Sequence, residues 1–416
     1  MSQGFVKSHN TPIILADSEA LDAFGRLRVA QSETLFAAPA TYGHNTMQWE
    51  KSNTDDGVAP AFDNNVRMSL LKVAAGVTGG TSYIISRQYQ PYRPGKSLKS
   101  SMTAVLGTAT AGAVKRCGFG DDANGIFFEQ NGTNGLQFNR RTSTSGSVVN
   151  NTVAQSSWNL DKLDGTGTSG ITLDITKGFI LSVDMQFLGF GRVRVGFNIG
   201  GVLIYAHEFL NANTLTVPYI QQAMLPVLIE IVAAAGLAAD ATAYFKCAEV
   251  SSEGGFEDVL GYPNAVEGTV TAASGSRTHV LSLRPKTTFN SMINRSIITF
   301  ENIDVLTGAN PVVWELVAGA TFSVAPTFAD VNSTFSAYEA GTGGTFTNIT
   351  SGVIVAAGYA GSGKNSFSIT REISNRAPCV LNRAGANTDL GTFSVFLTGV
   401  GGTSDSRVYL NWKEVR

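Results

Sequence analysis

The sequence predicts an all-β protein, in which an extended amino-terminal arm precedes two antiparallel β-sandwich domains. Its composition supports this fold class: 45 of the 416 residues are glycine and only 15% are charged. Many glycines and few charges are typical of short strands joined by tight turns. In addition, apolar residues alternate with polar ones in many short runs, as they do in strands that cover a core on one face.

The pattern divides the chain into three parts. Residues 1–60 alternate poorly and carry polar, turn-rich stretches, which predicts an arm that becomes ordered on a neighbouring subunit. Residues 61–256 contain short apolar or alternating runs separated by Gly, Asn and Asp, which predicts the first sandwich. After a linker-like stretch near 252–263, residues 257–416 predict the second sandwich.

Two turn sequences and one alternating run predict local structure within the middle domain. The Asn-Gly steps in FFEQNGTNGL at 127–136 and the Gly-Gly at 200–201 are hairpin signals. In RVRVGFNI, Arg192 and Arg194 alternate with apolar residues, so the guanidinium groups should lie on the face away from the core. Together with Arg140 and Arg141 they predict an Arg-rich edge that is either solvated or meets an acidic surface of a partner.

Composition and charge exclude several classes of function. The formal net charge of -2 provides no field for binding nucleic acid. The most apolar window, 227–239, is shorter than the roughly 20 residues that cross a bilayer, so no membrane insertion is expected. The three cysteines, Cys117, Cys247 and Cys379, are too far apart in sequence for a metal knuckle, which predicts buried free thiols.

The sequence shows no catalytic or metal-binding motif, which predicts a protein that is not an enzyme and needs no cofactor. The four histidines are scattered without an HExxH pattern and are expected to be structural: His9, His44, His207 and His279. A glycosidase needs two carboxylates facing each other across a cleft. The candidates form no recognisable pair on one strand face: Asp174, Asp184, Glu208 and Glu230.

The loop WNLDKLDGTGTSG is a candidate ligand site. Its carboxylate and amide oxygens, from Asn159, Asp161 and Asp164, are of the type that holds Ca²⁺, and Trp158 beside them is of the type that stacks on a sugar. The spacing does not match a known calcium loop. An ordered loop built from Asx turns is the competing interpretation.

The segment LDAFGRLRVAQSETLF, residues 21–36, resembles the D-A-F-G-R-L-R-V opening of a family of tailed-phage virion structural proteins. Four further stretches resemble the same family: YQPYRPGKS from Tyr89, NGIFF from Asn124, WNLDKLDGTG from Trp158 and LGFGRVRVGF from Leu188. The middle domain also resembles a concanavalin-like jelly roll, a sandwich used by lectins and by phage proteins that contact the host.

The resemblance implies a tail, collar or fibre subunit, located in the virion and assembled in the host cytoplasm. Its implied partners are other virion proteins, further copies of itself, by analogy as a trimer, and a host-surface glycan. Alternative roles are a capsid decoration protein, a glycan-binding adhesin and a capsule depolymerase.

Virion attachment is assigned by this resemblance to six residues of the amino-terminal arm: Asp22, Phe24, Gly25, Arg26, Leu27 and Arg28. Phe24 and Leu27 are expected to bury into the docking surface. Arg26 and Arg28 are expected to pair with carboxylates or backbone carbonyls.

Overall fold

The computed structural model describes residues 4–8, 11–15, 20–29, 31–254, 261–348, 352–369 and 377–416. Within these ranges the chain forms β-strands and two short 3-10 turns, Gln155–Ser157 and Asp389–Gly391, and no α-helix. None of the helical turns in the described part could span a membrane. The all-β prediction is therefore confirmed. The chain divides into two compact units: Met1–Ser86 with Gln90–Glu257, and Arg87–Tyr89 with Asp258–Arg416.

The strands of the first unit all pair antiparallel. They are β1 Gly4–Ser8, β2 Thr11–Leu15, β3 Glu33–Ala38, β4 Trp49–Thr54, β5 Gly57–Asp63, β6 Met68–Val73, β7 Thr81–Ser86, β8 Ser97–Val105, β9 Ala113–Gly120, β10 Gly125–Asn131, β11 Gly135–Thr142, β12 Val149–Ala154, β13 Phe179–Met185, β14 Val193–Ile199, β15 Val202–Phe209, β16 Val227–Ala233 and β17 Ala241–Glu253.

Two large sheets form the first sandwich. A seven-stranded sheet has the order β12-β11-β10-β9-β16-β7-β4, and an eight-stranded sheet has the order β15-β14-β13-β8-β17-β6-β5, with β3 also pairing with β17. Their inner faces share one apolar core. Phe128 of the first sheet meets Phe197 of the second with ring centroids 5.0 Å apart in an edge-to-face arrangement.

The second unit is also a sandwich. Its strands are β18 Tyr262–Ala272, β19 Thr278–Pro285, β20 Thr288–Phe289, β21 Met292–Ile293, β22 Ile297–Thr307, β23 Val312–Ala318, β24 Thr321–Val324, β25 Thr327–Asp330, β26 Tyr338–Thr342, β27 Thr345–Asn348, β28 Val353–Ala360, β29 Gly363–Ser368, β30 Phe393–Gly399 and β31 Ser404–Val415. A four-stranded sheet, β18-β31-β22-β29, and a six-stranded sheet, β25-β26-β19-β30-β23-β28, are its main layers. Phe300 and Phe393 join the two layers, with ring centroids 5.1 Å apart.

Both predicted hairpins are confirmed. Strands β14 and β15 pair up to Ile199 and Val202, and the two glycines between them have φ of 63° and 84°. These positive φ values belong to the tight turn that Gly-Gly accommodates without strain. Strands β10 and β11 meet at the other turn, where the Asn131 side chain accepts a hydrogen bond from the backbone N–H of Thr133 at 2.9 Å.

The predicted arm, residues 1–60, is shorter in the structure. Strand β3 pairs with β17, and β4 and β5 pair with β7 and β6, so residues from 33 onward belong to the first sandwich. The physical reason is that Leu35, Phe36 and Trp49 supply buried side chains to its core. Within the linker predicted near 252–263, residues 255–260 lie outside the described part.

Three histidines are buried. His44 and His207 lie in the first unit and His279 in the second, and burial lowers the pKa of each to about 4. The His44 ring is held between the Ser69 hydroxyl at 2.7 Å and the Lys246 carbonyl at 3.2 Å. The structural role predicted for these three is consistent with this packing, and His9 lies outside the described residues.

We expect the protein to lose stability as the pH falls from about 6.5 towards 4. The folded pKa of each buried histidine lies below its ordinary value of 6.5, so the unfolded chain takes up protons first and is favoured on acidification. Urea unfolding followed by tryptophan fluorescence at pH 7.5 and pH 5 measures this loss. His207→Asn should make the first unit less sensitive to pH, and a free energy of unfolding that is equal at both pH values would contradict the expectation.

Candidate functional site

Residues 20–28, here called the motif loop, form a tight closed turn. Leu21 and Leu27 form an isolated antiparallel bridge, and the Asp22 N–H donates to the Arg26 carbonyl at 2.8 Å. The Asp22 carboxylate accepts hydrogen bonds from the backbone N–H and the Nε of Arg26, both at 2.8 Å. Gly25 has a φ of 76°, which disfavours a residue with a side chain. The sequence D-A-F-G-R therefore closes on itself.

Arg28 anchors the motif loop to the outer face of the eight-stranded sheet. Its Nη2 lies 2.7 Å from Oδ2 of Asp184, and its Nε donates to the carboxylate of Glu253. Arg194 pairs with the same oxygen of Asp184, and the Tyr205 hydroxyl donates to it at 2.8 Å. Asp184 and Arg194 are completely buried, so the carboxylate depends on these partners in place of water.

The charges in this cluster stabilise one another. Burial alone would lower the pKa of the Arg28 guanidinium, but attraction to Asp184 and the hydrogen bond to Glu253 raise that pKa above its usual value. Burial and the nearby Asp184 charge raise the pKa of the Tyr205 hydroxyl, which keeps it protonated as a donor. The Arg194 guanidinium lies 4.1 Å from the centroid of the Tyr205 ring, in cation–π geometry.

Arg192 and Arg194 meet groups of their own chain. Arg194 donates to the Leu21 carbonyl at 2.7 Å, and Arg192 donates to the Ala23 carbonyl at 3.3 Å and pairs with Glu208 at 3.4 Å. The sequence left this face either solvated or set against the acidic surface of a partner. The structure corrects both interpretations, because the motif loop covers the two guanidinium groups.

The stretches that carry the sequence resemblance are in contact with one another. Arg26 of the first stretch donates to the Gly95 carbonyl of YQPYRPGKS at 3.1 Å. The backbone N–H of Leu188, which opens LGFGRVRVGF, donates to the Tyr92 hydroxyl at 3.1 Å. In the core, Phe197 of the same stretch packs against Phe128 of NGIFF and Trp158 of WNLDKLDGTG. Together with the bonds from Arg192 and Arg194, these contacts connect all five stretches.

The predicted attachment residues have different environments. The side chains of Asp22 and Arg28 form ion pairs within the first unit. Phe24 is half-buried, with the Arg26 guanidinium 4.6 Å from its ring centroid. Leu27 is 40% exposed and Val29 83% exposed. The pairing predicted for Arg28 therefore takes place within the chain, and Leu27 and Val29 are the apolar side chains left on the surface. Attachment through this segment stays a prediction.

Trp158 is not available to a ligand. It is almost completely buried, its ring stacks on Phe138 with centroids 4.3 Å apart, and its Nε1 donates to the Val153 carbonyl at 3.3 Å. The sequence predicts that this ring lies beside the loop oxygens, where a sugar could stack on it. The structure corrects that expectation, because the tryptophan completes the aromatic core between the two sheets.

The polar residues of the same loop bond to the loop itself. The Asp161 carboxylate accepts from the N–H groups of Leu163 at 2.9 Å and Ser169 at 2.7 Å. Asp164 accepts from the hydroxyl and the backbone N–H of Thr166, which lower the pKa of Asp164.

The Asn159 amide pairs with the backbone of Glu208, donating at 3.0 Å and accepting at 2.9 Å. With the bonds of Asp161 and Asp164, this arrangement matches the Asx-turn interpretation. Within the described ranges, no cluster of three or more His, Cys, Asp or Glu residues could hold a metal ion.

Of the four glycosidase candidates, two share a sheet face: Asp184 and Glu208 lie opposite Arg194 on the flanking strands β13 and β15. Asp174 is exposed in a turn, where it accepts from Thr176, whereas Asp184 is buried under the motif loop. Glu208 pairs with Arg192, and Glu230 lies on the other sheet.

A second charged row lies on the seven-stranded sheet. Glu129, Arg116 and Glu230 are directly opposite one another on β10, β9 and β16. Arg116 contacts Glu129 at 3.1 Å and Glu230 at 3.0 Å, and the two carboxylates are 2% and 1% exposed. Sequence reasoning missed Glu129 because it is a single charge in a strand that otherwise reads as apolar, and it missed Arg116 because both of its partners lie on other strands.

Comparisons with known proteins give matches among solved structures. No protein-family model and no curated protein matches the chain. The β-glucanase of Bacillus licheniformis matches with a TM-score of 0.33 and 14% identity over 53% of this chain and 98% of that one. A family 16 glycosyl hydrolase of Mycobacterium smegmatis matches with 0.34 and 13% over 52% and 100%. The Crh5 transglycosylase matches with 0.33 and 15% over 53% and 84%.

These neighbours are concanavalin-like jelly-roll proteins, the type of sandwich that the sequence predicts for the middle domain. Their names contradict the prediction that the chain is not an enzyme. That prediction relied on the lack of paired carboxylates within one strand, whereas a sheet also brings carboxylates together from different strands, as with Glu129 and Glu230. At these identities the likeness concerns the fold alone, and no activity is transferred to this chain.

The structure predicts that Arg28→Met destabilises the first unit far more than Arg26→Met. Removing Arg28 takes a cation from the buried Asp184 and from Glu253, which should cost about 3 kcal/mol. The Arg26 side chain is 50% exposed, so losing its pair with Asp22 should cost no more than about 1 kcal/mol. Urea unfolding of both variants beside the parent protein measures the difference. Equal losses would mean that the motif loop does not depend on its buried ion pairs.

Proposed function

We propose that this chain is a structural component of a tailed-phage virion, a tail, collar or fibre subunit, and that its first unit contacts carbohydrate on the host surface. The observation that carries the proposal is the mutual contact of the five stretches that resemble the phage family. Stretches that resembled the family by chance would not be expected to contact one another in the fold. Here two guanidinium groups of one stretch, from Arg192 and Arg194, donate to carbonyls of another stretch more than 160 residues away.

The surface of the second unit supports incorporation into a larger assembly. Several large apolar side chains there are more than half exposed: Tyr262, Met292, Ile293, Val324, Phe335 and Tyr359. Where such side chains are contiguous, they favour contact with other proteins. We propose other virion proteins and further copies of the chain, by analogy three, as the partners.

The attachment hypothesis needs a finer test than truncation. Deleting residues 1–35 would remove Arg28 and the buried Leu21 and Leu35, so it would damage the first sandwich together with any docking surface. Substitutions at the exposed tip of this segment, Leu27 and Val29, test the docking surface without damaging the sandwich. A pair of aspartates there changes the surface and leaves the ion pairs of Arg28 in place.

We expect Leu27→Asp combined with Val29→Asp to reduce incorporation into particles by about tenfold, because burying two carboxylates in an apolar contact is costly. Quantitative mass spectrometry of purified particles assembled with each variant measures the copy number. The Val202→Asp variant, at a position 53% exposed on β15, is the matched control and should be incorporated normally. Normal incorporation of the double variant would rule out the tip as the attachment surface, and absence of the parent protein from particles would overturn the virion role.

Hydrolysis of a carbohydrate polymer is a second candidate function. The observation that favours it is the pair Glu129 and Glu230, which share one sheet face two strands apart: about 10 Å separates the backbones, and less separates the carboxylates, since both contact one guanidinium. Acid and base carboxylates of glycosidases are separated by distances of this order. Arg116 lies between them and bonds to both.

If this pair is catalytic, the parent protein releases reducing sugar from a host polysaccharide, and Glu129→Gln and Glu230→Gln each lower the rate by at least about a hundredfold. A reducing-sugar assay on capsule and cell-wall polymers measures the rate. Asp174→Asn, at an exposed turn, is the matched control and should retain it. The absence of release by the parent protein would remove this candidate, and release that persists in both glutamine variants would place the activity elsewhere.

A further inference from the structure

A cleft lies between the motif loop and strands β8 and β17. Its volume is about 510 Å³, within the range of small-molecule sites. The floor consists of two cross-strand pairs, Lys99 opposite Ser251 and Ser101 opposite Glu249. The wall is formed by residues of the motif loop, including Arg26 and Arg28. Every floor side chain is polar, so the cleft is unsuited to an apolar ligand.

The charged groups in the wall of the cleft already have partners within the protein. Arg26 pairs with Asp22 and bonds to the Gly95 carbonyl, and Arg28 pairs with Asp184 and Glu253. These groups therefore give the wall a fixed shape. Their charges are cancelled within the protein and leave little attraction for an added ion.

The floor, by contrast, has unused hydrogen-bonding capacity. In the described part of the chain, the ammonium group of Lys99, the carboxylate of Glu249 and the hydroxyl of Ser251 form no hydrogen bond or ion pair with the protein. Ser101 has only a contact of 3.3 Å to the Ser182 hydroxyl. One cation and one anion balance, so the floor offers donors and acceptors without a net charge.

We propose that this cleft is a binding site for a neutral saccharide, with Lys99 and Glu249 as its principal hydrogen-bonding residues. A sugar ring presents neighbouring hydroxyls that both donate and accept, which suits an ammonium, a carboxylate and two serine hydroxyls arranged on adjacent strands. An anionic ligand would gain from Lys99 and lose at Glu249, and a cation the reverse. The inference deepens the carbohydrate contact proposed above and rests on it.

The test uses the full chain, an array of neutral and anionic oligosaccharides, and titration calorimetry on the neutral oligosaccharide that gives the strongest array signal. Lys99→Met keeps the aliphatic stem and removes the ammonium, and Glu249→Gln keeps the shape and removes the charge. Each should weaken binding by about tenfold or more through the loss of a charge-assisted hydrogen bond. Lys177→Met, whose side chain is 79% exposed outside the cleft, is the control and should bind as the parent does. Unfolding curves establish that all three variants are folded.

The outcomes separate the site from the function. Neutral-sugar binding that falls in both cleft variants and persists in the control supports the site. Neutral-sugar binding that is unaffected by either variant overturns the site and leaves the proposed carbohydrate contact standing. Binding only of anionic sugars overturns the proposed ligand class. No binding to any sugar overturns the carbohydrate contact and the site together, while the virion role is still judged by incorporation.

Discussion

The arrangement of the first unit depends on the ion pairs formed by the buried carboxylate of Asp184. A completely buried negative charge requires partners, and this one receives Arg28 from the motif loop, Arg194 from the neighbouring strand and the Tyr205 hydroxyl. Arg194 lies opposite Asp184 on the paired strand, whereas Arg28 comes from 156 residues away in sequence and reaches the carboxylate only because the motif loop packs on the sheet. The motif loop therefore has a defined place on the sheet, and that place creates the cleft above β8 and β17.

Local features of the fold were predictable from sequence, whereas its long-range polar contacts were not. The hairpin at 200–201 follows from two glycines that adopt positive φ, a property of the turn itself. The alternation around Arg194 gives its face of the sheet correctly, yet nothing near it in sequence identifies the carbonyl of Leu21, 173 residues away, as its partner. Such partners emerge only when distant segments are packed together.

The candidate site shows the same division. Asp22 to Arg28 stood out by resemblance, and the structure supplies the reason for each polar residue in it. The prediction that Trp158 contacts a ligand was wrong because a tryptophan in a polar loop is expected at the surface, whereas here its ring fills the core beside Phe138. Lys99 and Glu249 went unnoticed because single charges on alternating strands usually mark a solvated face. Their significance comes from the loop that forms a wall beside them.

The pairing of Arg28 with Glu253 also has a mechanical consequence. Glu253 ends β17, the last strand of the first sandwich, and Glu33 at the start of β3 lies opposite Ser252, so the chain enters and leaves this sandwich at neighbouring points. Tension between the amino-terminal segment and the second unit would by itself peel β3 from β17 one bond at a time, the weak direction for an antiparallel pair. The ion pair lies ahead of that ladder and holds the two ends together. A pull on the two ends of the chain would therefore meet this ion pair before it reaches the β3–β17 ladder.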